Sequence, residues 1–178
     1  MCEILRAVQF GHPRGVRLLD EVKAILLGQG NIFQRKDHFI LFVCGGDASE
    51  TADTLRANFL RWAKSELPDF ITLLAESAYQ QTYSEDAPEL INLGTFERLI
   101  AEICDGVLIF PESVGSYAEI GFFSNTSVKK RVLVANEEPH YSRDSFMNLG
   151  PILTIDRASS LRPAIPIRRE SLEQGLIR

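Results

Sequence analysis

The 178-residue sequence lacks the features that mark several classes of protein. Its apolar runs, such as residues 39–44, are far shorter than the roughly 20 residues that a membrane helix needs, and no signal-peptide pattern is present. The cysteines are few, odd in number and without CxxC spacing (Cys2, Cys44 and Cys104), and the histidines are scattered. We therefore expect a cytoplasmic protein with no membrane span, no disulfide and no metal site.

An excess of positive charge is also missing. The formal net charge is −5, which argues against a protein that binds nucleic acid over its whole surface. With 45% apolar and 24% charged residues, the composition is that of an ordinary globular domain. We assign residues 1–160 to one domain and residues 161–178, rich in proline and arginine, to a C-terminal arm. The arm is interpreted either as a contact for an anionic partner or another protomer, or as a solvated tail.

Apolar strand patterns alternate with amphipathic helix patterns along the chain. We predict strands at 38–46, 70–76, 105–111, 130–136 and 151–156, and helices at 16–28, 49–67, 95–104, 116–125 and 144–150. Such alternation is typical of βα units, so the sequence predicts an α/β fold with a mainly parallel sheet and helices on both faces. Ligands of these sheets bind beyond the carboxyl ends of the strands.

Two loops between a strand and a helix lie at that edge. The first contains Gly45, Gly46 and Asp47, where glycine would let backbone amides approach a ligand and the following helix start would favour an anion. It matches neither a complete GxxxxGKS nor a complete GxGxxG motif. The alternative is a tight structural turn with Asp47 or Ser49 as the helix N-cap.

The second loop, "PESVGSYAE" at 111–119, contains an unexpected carboxylate. Pro111 ends a strand, Gly115 permits an unusual backbone angle, and Ser116 is a suitable N-cap, which places Glu119 at the third helical position. Ser-x-x-Glu is a capping box, so Glu119 is either a cap or a site residue. Its place at the sheet edge, beside aromatic neighbours, favours the site.

This stretch resembles two families that cleave N-glycosidic bonds. It follows the Pro-Gly-Gly-x-Gly-Thr-x-x-Glu signature of the lonely-guy phosphoribohydrolases, with Pro111, Gly115 and Glu119 matched and Ser116 in place of threonine. It also resembles the segment of nucleoside deoxyribosyltransferases that holds the nucleophilic glutamate. Both families have a Rossmann-like, three-layer fold. Across residues 38–160, the order of segments looks closest to the deoxyribosyltransferase-like effectors of bacterial retrons, so we interpret residues 1–160 as a domain of that type.

The resemblance implies roles for particular residues. Glu119 would be catalytic, and the substrate would be held by Gly45, Gly46, Asp47, Arg98, Ser113, Gly115 and Ser116. Glu112 and Ser113 depart from the phosphoribohydrolase glycines, which makes a monophosphate in that geometry doubtful. Ser113 also replaces the aspartate that holds the base in the transferases. No cofactor or metal is implied, and NAD or a nucleotide would be a substrate.

The implied function is an N-glycosidase that acts on a nucleoside, nucleotide or NAD as the toxic effector of a retron anti-phage system. Its implied partners are the retron reverse transcriptase with its DNA-RNA product, and further copies of itself in a homo-oligomer. Two alternatives remain at this point. One is a non-catalytic nucleotide-sensing module on the same fold, and the other is a structural subunit in which Glu119 only caps a helix.

Overall fold

A computed structural model of the chain describes residues 39–77, 92–141, 144–161 and 164–168. The described strands are β1 (Phe39–Cys44), β2 (Phe70–Leu73), β3 (Gly106–Ile109), β4 (Val132–Glu137) and β5 (Ile165–Ile167). The helices are α1 (Leu55–Glu66), α2 (Leu93–Ile103), α3 (Val114–Ser124), α4 (Glu138–Tyr141) and α5 (Leu153–Ala158), with a 3-10 turn at Ser127–Arg131 and a π-helix at Asn148–Ile152. The predicted helix at 16–28 lies outside the described residues.

All five strands run parallel in one sheet of order β2-β1-β3-β4-β5. The chain moves from β1 to β2 on one side and then crosses to β3 on the other side of β1. The strand order therefore reverses between β1 and β3, which is where sheets of this kind open a crevice at their carboxyl edge. Three residues of the predicted C-terminal arm, Ile165–Ile167, form β5 and pair with Ala135–Glu137.

Alternate residues of the central strands pack into two separate apolar layers. In β1, Phe42 and Cys44 belong to the layer that also contains residues of α2, α3 and α5, whereas Val43 packs with Leu55 and Phe59 of α1. This two-residue period buries both faces of the sheet. The predicted α/β, Rossmann-like three-layer fold with a mainly parallel sheet is confirmed.

The predicted strand at 151–156 is wrong. These residues complete the π-helix and begin α5. Ile152 and Ile155 are both buried and lie three residues apart, which is helical spacing, and Pro151 has no N–H to donate to a strand ladder. Among the described helices, none is long and apolar enough to cross a bilayer.

Helix α1 begins later than predicted, at Leu55, and its N-cap is Thr54 instead of Asp47 or Ser49. The Thr54 side chain accepts a hydrogen bond from the Ala57 amide at 3.0 Å. Glu112, from the loop after β3, accepts hydrogen bonds from the Leu55 amide at 2.5 Å and the Arg56 amide at 3.1 Å. A carboxylate of the protein itself therefore stabilises the positive end of α1.

Gly45, at the end of β1, has no room for a side chain. A Cβ atom there would lie 2.9 Å from Arg56 Cβ and 3.1 Å from Arg56 Cδ. We expect Gly45→Ala to lower the free energy of unfolding by about 1–3 kcal/mol, because the stem of Arg56 would have to move. Gly121→Ala is the matched control: its Cβ would meet nothing within 4 Å, and alanine favours the helix by up to about 1 kcal/mol. Urea unfolding measures both, and equal effects would contradict this packing.

Candidate active site at the carboxyl edge of the sheet

The two loops predicted to meet at the sheet edge do so. The Phe110 amide donates to the Cys44 carbonyl at 3.0 Å, which continues the β1–β3 pairing past the strand ends. One step further, the Ser113 hydroxyl donates to the Gly45 carbonyl at 3.3 Å. These bonds fix the start of α3 beside the end of β1.

The start of α3 differs from the predicted capping box. Ser113 is the N-cap: its hydroxyl accepts from the Ser116 amide at 3.1 Å, and the Ser116 hydroxyl accepts from the Ser113 amide at 2.9 Å. Ser116 is thus the third helical residue, and Gly115 lies in the helical first turn, so no unusual backbone angle is required there. The capping interpretation of Glu119 is therefore wrong, because a serine already fills that role.

Glu119 is the sixth residue of α3 and lies on its inner side. It follows the buried Ser116 by three residues and precedes the buried Phe123 by four, so all three side chains share one face of the helix. Burial of this carboxylate is thus a consequence of helical periodicity. The carboxyl group has a side-chain hydrogen bond with Cys44, at the end of β1.

A buried arginine lies next to this carboxylate. Arg56, in the first turn of α1, is only 5% exposed. Its guanidinium binds both oxygens of Glu76, at 2.7 and 2.9 Å, and donates to the Gly46 carbonyl at 3.1 Å. Glu76 follows the end of β2, so the ion pair joins the ends of β1 and β2 to the start of α1. A buried guanidinium requires such pairing because its desolvation is costly.

In the cluster formed by Cys44, Arg56, Glu76, Glu97 and Glu119, the surroundings of two carboxyl groups favour the neutral form. Burial raises the pKa of Glu119 to about 7, against the opposing influence of Arg56, and Glu76 raises it further. Glu97, in α2, also has a pKa of about 7, raised by burial first and then by the charges of Glu119 and Glu76. Burial raises the pKa of the Cys44 thiol well above its usual value, so this residue remains a thiol.

Two buried polar atoms of the cluster have no hydrogen-bond partner within the described part of the chain: Arg56 Nε and Glu119 Oε2. Leaving a buried donor or acceptor unpaired costs about 1–3 kcal/mol. One atom is a donor and the other, in the ionised carboxylate, an acceptor, so each could bind a polar group of a ligand or a water. This is the pattern of a binding site rather than of a finished core.

The other predicted site residues have structural contacts. Gly45 and Gly46 pack against Arg56 and Thr54, and exposed Asp47 accepts hydrogen bonds from the amide and hydroxyl of Ser49. The structure thus brings Gly45, Gly46, Ser113 and Ser116 to the edge where Glu119 lies. Arg98 differs: its ion pair is with Glu102 on its own helix, 3.9 Å away, and its buried Nε has no hydrogen-bond partner among the described residues.

Three residues of the cluster were missed by the sequence reasoning: Arg56, Glu76 and Glu97. Arg56 was missed because the helix predicted at 49–67 places it about two turns inside, whereas α1 begins at Leu55, beside the edge where ligands of such sheets bind. Glu97 lies beside Arg98 in α2, and only the arginine is predicted from the sequence to contact the substrate. Nothing in the local sequence around Glu76 marks it.

The fold and these contacts define a class of protein: a parallel α/β protein with a partly buried cluster of carboxyl groups at the point where strand order reverses. Comparison with known proteins identifies the family. Residues 52–175 match the family model described as "STM3845 retron effector protein", which is more than half of the chain. The chain therefore belongs to this retron effector family.

Two proteins of Escherichia coli are similar to the chain. "Retron Ec86 putative ribosyltransferase/DNA-binding protein" is 30% identical over 128 residues, and "Retron Ec73 putative ribosyltransferase/DNA-binding protein" is 24% identical over 121 residues. Each alignment covers 67% of this chain and 38% of the relative. The chain thus spans well under half of the length of the relatives it matches.

The pKa of Glu119 has a consequence for stability. A carboxyl group whose pKa is raised on folding stabilises the protein below about pH 4.5, and this contribution is lost as the pH rises through about 7. We expect Glu119→Gln to be more stable than the wild type at pH 8, by on the order of 1–3 kcal/mol, and nearly equal to it at pH 4.5. Urea unfolding at both pH values measures this, with exposed Glu66→Gln as control. A variant that is less stable at pH 8 would contradict the assigned burial.

Proposed function

We propose that this protein cleaves the bond between base and sugar in a nucleoside, nucleotide or NAD, with Glu119 at the sugar C1′ carbon. The observation that carries the proposal is the pair of half-buried carboxyl groups, Glu119 and Glu97, both with a pKa near 7 at the crevice of the sheet. Interacting carboxyl groups share protons, so near neutral pH such a pair holds about one proton between its two members. The names of both relatives contain the word "ribosyltransferase", which supports chemistry at the bond between sugar and base.

Cleavage of an N-glycosidic bond uses one ionised and one protonated carboxyl group. The C1′–N bond breaks with its electron pair leaving on the base, and the sugar acquires positive charge in the transition state. The ionised Glu119 carboxylate stabilises this charge or forms a bond to C1′. Glu97, in its protonated form, donates its proton to the departing base. Both groups lie beyond the carboxyl edge of the sheet, where substrates of this fold class bind.

The second half of the reaction restores both residues. Water attacks C1′, the bond to Glu119 breaks, and the proton from water returns to Glu97. With a second base in place of water, the product is a new nucleoside, so the same site supports a hydrolase or a transferase. The Cys44 thiol and Arg56 are fixed beside the carboxylate and take no proton in this scheme.

We also propose that this protein is a cytoplasmic toxin, kept inactive by the retron reverse transcriptase and its DNA-RNA product. Membership of the retron effector family supports this role. Exposed apolar side chains support a protein partner or a homo-oligomer: Val114 is 89% exposed, Phe146 83% and Leu149 61%. Solvent-facing apolar groups of this size mark interaction surfaces when they cluster, and α3 packs against the π-helix that carries Leu149.

The proposed activity is tested by release of free base. Wild-type protein is incubated with a panel of nucleosides, nucleotides and NAD, and the products are separated by chromatography. We expect Glu119→Gln to reduce base release by about 10³-fold or more, because glutamine can neither form the ester nor neutralise the sugar cation. Glu66→Gln, at the exposed end of α1, is the matched control and should retain full activity.

The alternatives give different results in the same experiment. Base release by Glu119→Gln within about tenfold of the wild type would overturn the role of Glu119. A nucleotide-sensing module would bind a ligand in calorimetry, and neither form would release a base. Circular dichroism of each variant confirms that a loss of activity is not a loss of fold.

A further inference from the structure

One donor of a buried arginine is left unpaired. Arg56 is only 5% exposed, and its Nε atom has no hydrogen-bond partner within the described part of the chain. Its terminal nitrogens, by contrast, bind Glu76 and the Gly46 carbonyl. Nearly all buried donors of folded proteins are paired, so an unpaired one beside a crevice marks a place where a ligand group binds.

The neighbours of this donor fix its position. Arg56 Cδ lies 3.1 Å from the point that a Cβ atom of Gly45 would occupy, and Arg56 Nη1 donates to the Gly46 carbonyl at 3.1 Å. Nε is bonded to Cδ and is separated from Nη1 by one atom, so it lies alongside the two glycines at the end of β1. The Gly45 carbonyl also accepts from Ser113, the N-cap of α3, at 3.3 Å. The free donor therefore belongs to the pair of loops that forms the crevice.

Glu119 reaches the same edge from the opposite face of the sheet. Cys44 packs in the layer that contains residues of α3, and its side chain has a hydrogen bond with Glu119. Leu55, which precedes Arg56 in α1, packs in the other layer. Consecutive residues at the end of β1, Cys44 and Gly45, thus contact Glu119 and Arg56. The unpaired Oε2 of Glu119 and the unpaired Nε of Arg56 belong to opposite walls of one crevice.

The charges around Arg56 Nε select the kind of acceptor that it binds. The positive charge of Arg56 is balanced by its ion pair with Glu76. The first amides of α1, where a phosphate group would otherwise bind, are occupied by the carboxylate of Glu112 at 2.5 and 3.1 Å. A phosphate at this point would face both carboxylates without an unbalanced cation. The acceptor of the Nε–H group is therefore an uncharged oxygen.

We propose that Arg56 is a substrate-binding residue whose Nε–H group donates to the 2′-hydroxyl of a ribose, so that the site distinguishes ribose from 2′-deoxyribose. This inference rests on the proposed function, because it takes C1′ to lie at Glu119. The sugar oxygens nearest to C1′ are the ring oxygen and the 2′-hydroxyl. The ring oxygen shares the positive charge of the transition state and is a poor acceptor from a guanidinium. The hydroxyl oxygen keeps its lone pairs and accepts the bond.

The test compares kcat/KM for base release from a ribose substrate and from its 2′-deoxy counterpart, such as adenosine and 2′-deoxyadenosine. In Arg56→Lys a methylene group replaces Nε, while the positive charge is retained. We expect the ratio of ribose to deoxyribose kcat/KM to fall by about 10- to 100-fold in this variant, because one hydrogen bond from a charged donor is lost. The intrinsic reactivities of the two sugars cancel when the ratios are compared.

Arg61→Lys is the matched control on the same helix. The Arg61 guanidinium donates to the carbonyls of Glu50 and Ala52, on the exposed side of α1. Its ratio should equal that of the wild type. A merely structural role for Arg56 gives a different result, because damage to the site would lower kcat/KM for both sugars alike. An unchanged ratio in Arg56→Lys would overturn the proposal.

A second measurement needs neither turnover nor a variant. The Nε–H resonance of Arg56 is followed by NMR in wild-type protein labelled with nitrogen-15, while D-ribose or 2-deoxy-D-ribose is added. We expect ribose to shift this resonance and 2-deoxyribose to leave it unchanged. No shift with ribose, or the same shift with both sugars, would overturn the assigned contact. A shift specific to ribose, with no base release from any substrate, would overturn only the proposed function.

Discussion

A single buried guanidinium among carboxylates is the constraint on which the architecture of the sheet edge depends. Arg56 must be paired because it is 5% exposed, and Glu76 supplies the pair from the end of β2. The same positive charge limits how far burial raises the pKa of Glu119 and Glu97. Without a cation at this point, the pKa of both half-buried carboxyl groups would be higher still, which favours their neutral forms.

The helix N-termini around this cluster are capped by the protein's own side chains. Glu112 occupies the first amides of α1, and the serine pair Ser113 and Ser116 occupies those of α3. Glu112 and Ser113 stand at the positions of the two glycines that follow the proline in the phosphoribohydrolase signature. As capping groups, these side chains hold both helix starts against the strand ends. Glu119, one turn further along α3, is positioned by this frame.

The sequence predicted those parts of the molecule that local patterns determine. Apolar runs such as residues 39–44 define buried parallel strands. The loops after β1 and β3 were correctly predicted to lie together, because the carboxyl ends of parallel strands share one edge of the sheet. The strand predicted at 151–156 failed because a short apolar run containing isoleucines three residues apart fits a helix equally well. Strand and helix are distinguished there by packing against α3, which is a tertiary effect.

The candidate site was predicted only in part, and for a similar reason. Glu119 could be located because it lies in a recognisable loop and has a helical spacing that buries it. The partners Arg56, Glu76 and Glu97 come from three other elements of the chain, and only the folded sheet brings them together. Local spacing also misplaced the cap of α3 by three residues, because Ser113 and Ser116 are equally good N-cap residues.

The central claim is that Glu119 and Glu97 form a pair of carboxyl groups poised near neutral pH around one buried cation. It is tested most directly by NMR titration of protein labelled with carbon-13 at the glutamate side-chain carboxyl carbons. We expect two resonances with midpoints near pH 7, one absent in Glu119→Gln and the other absent in Glu97→Gln. Titration of every glutamate of the wild-type protein near the usual value of about 4.3 would contradict the raised pKa of this pair.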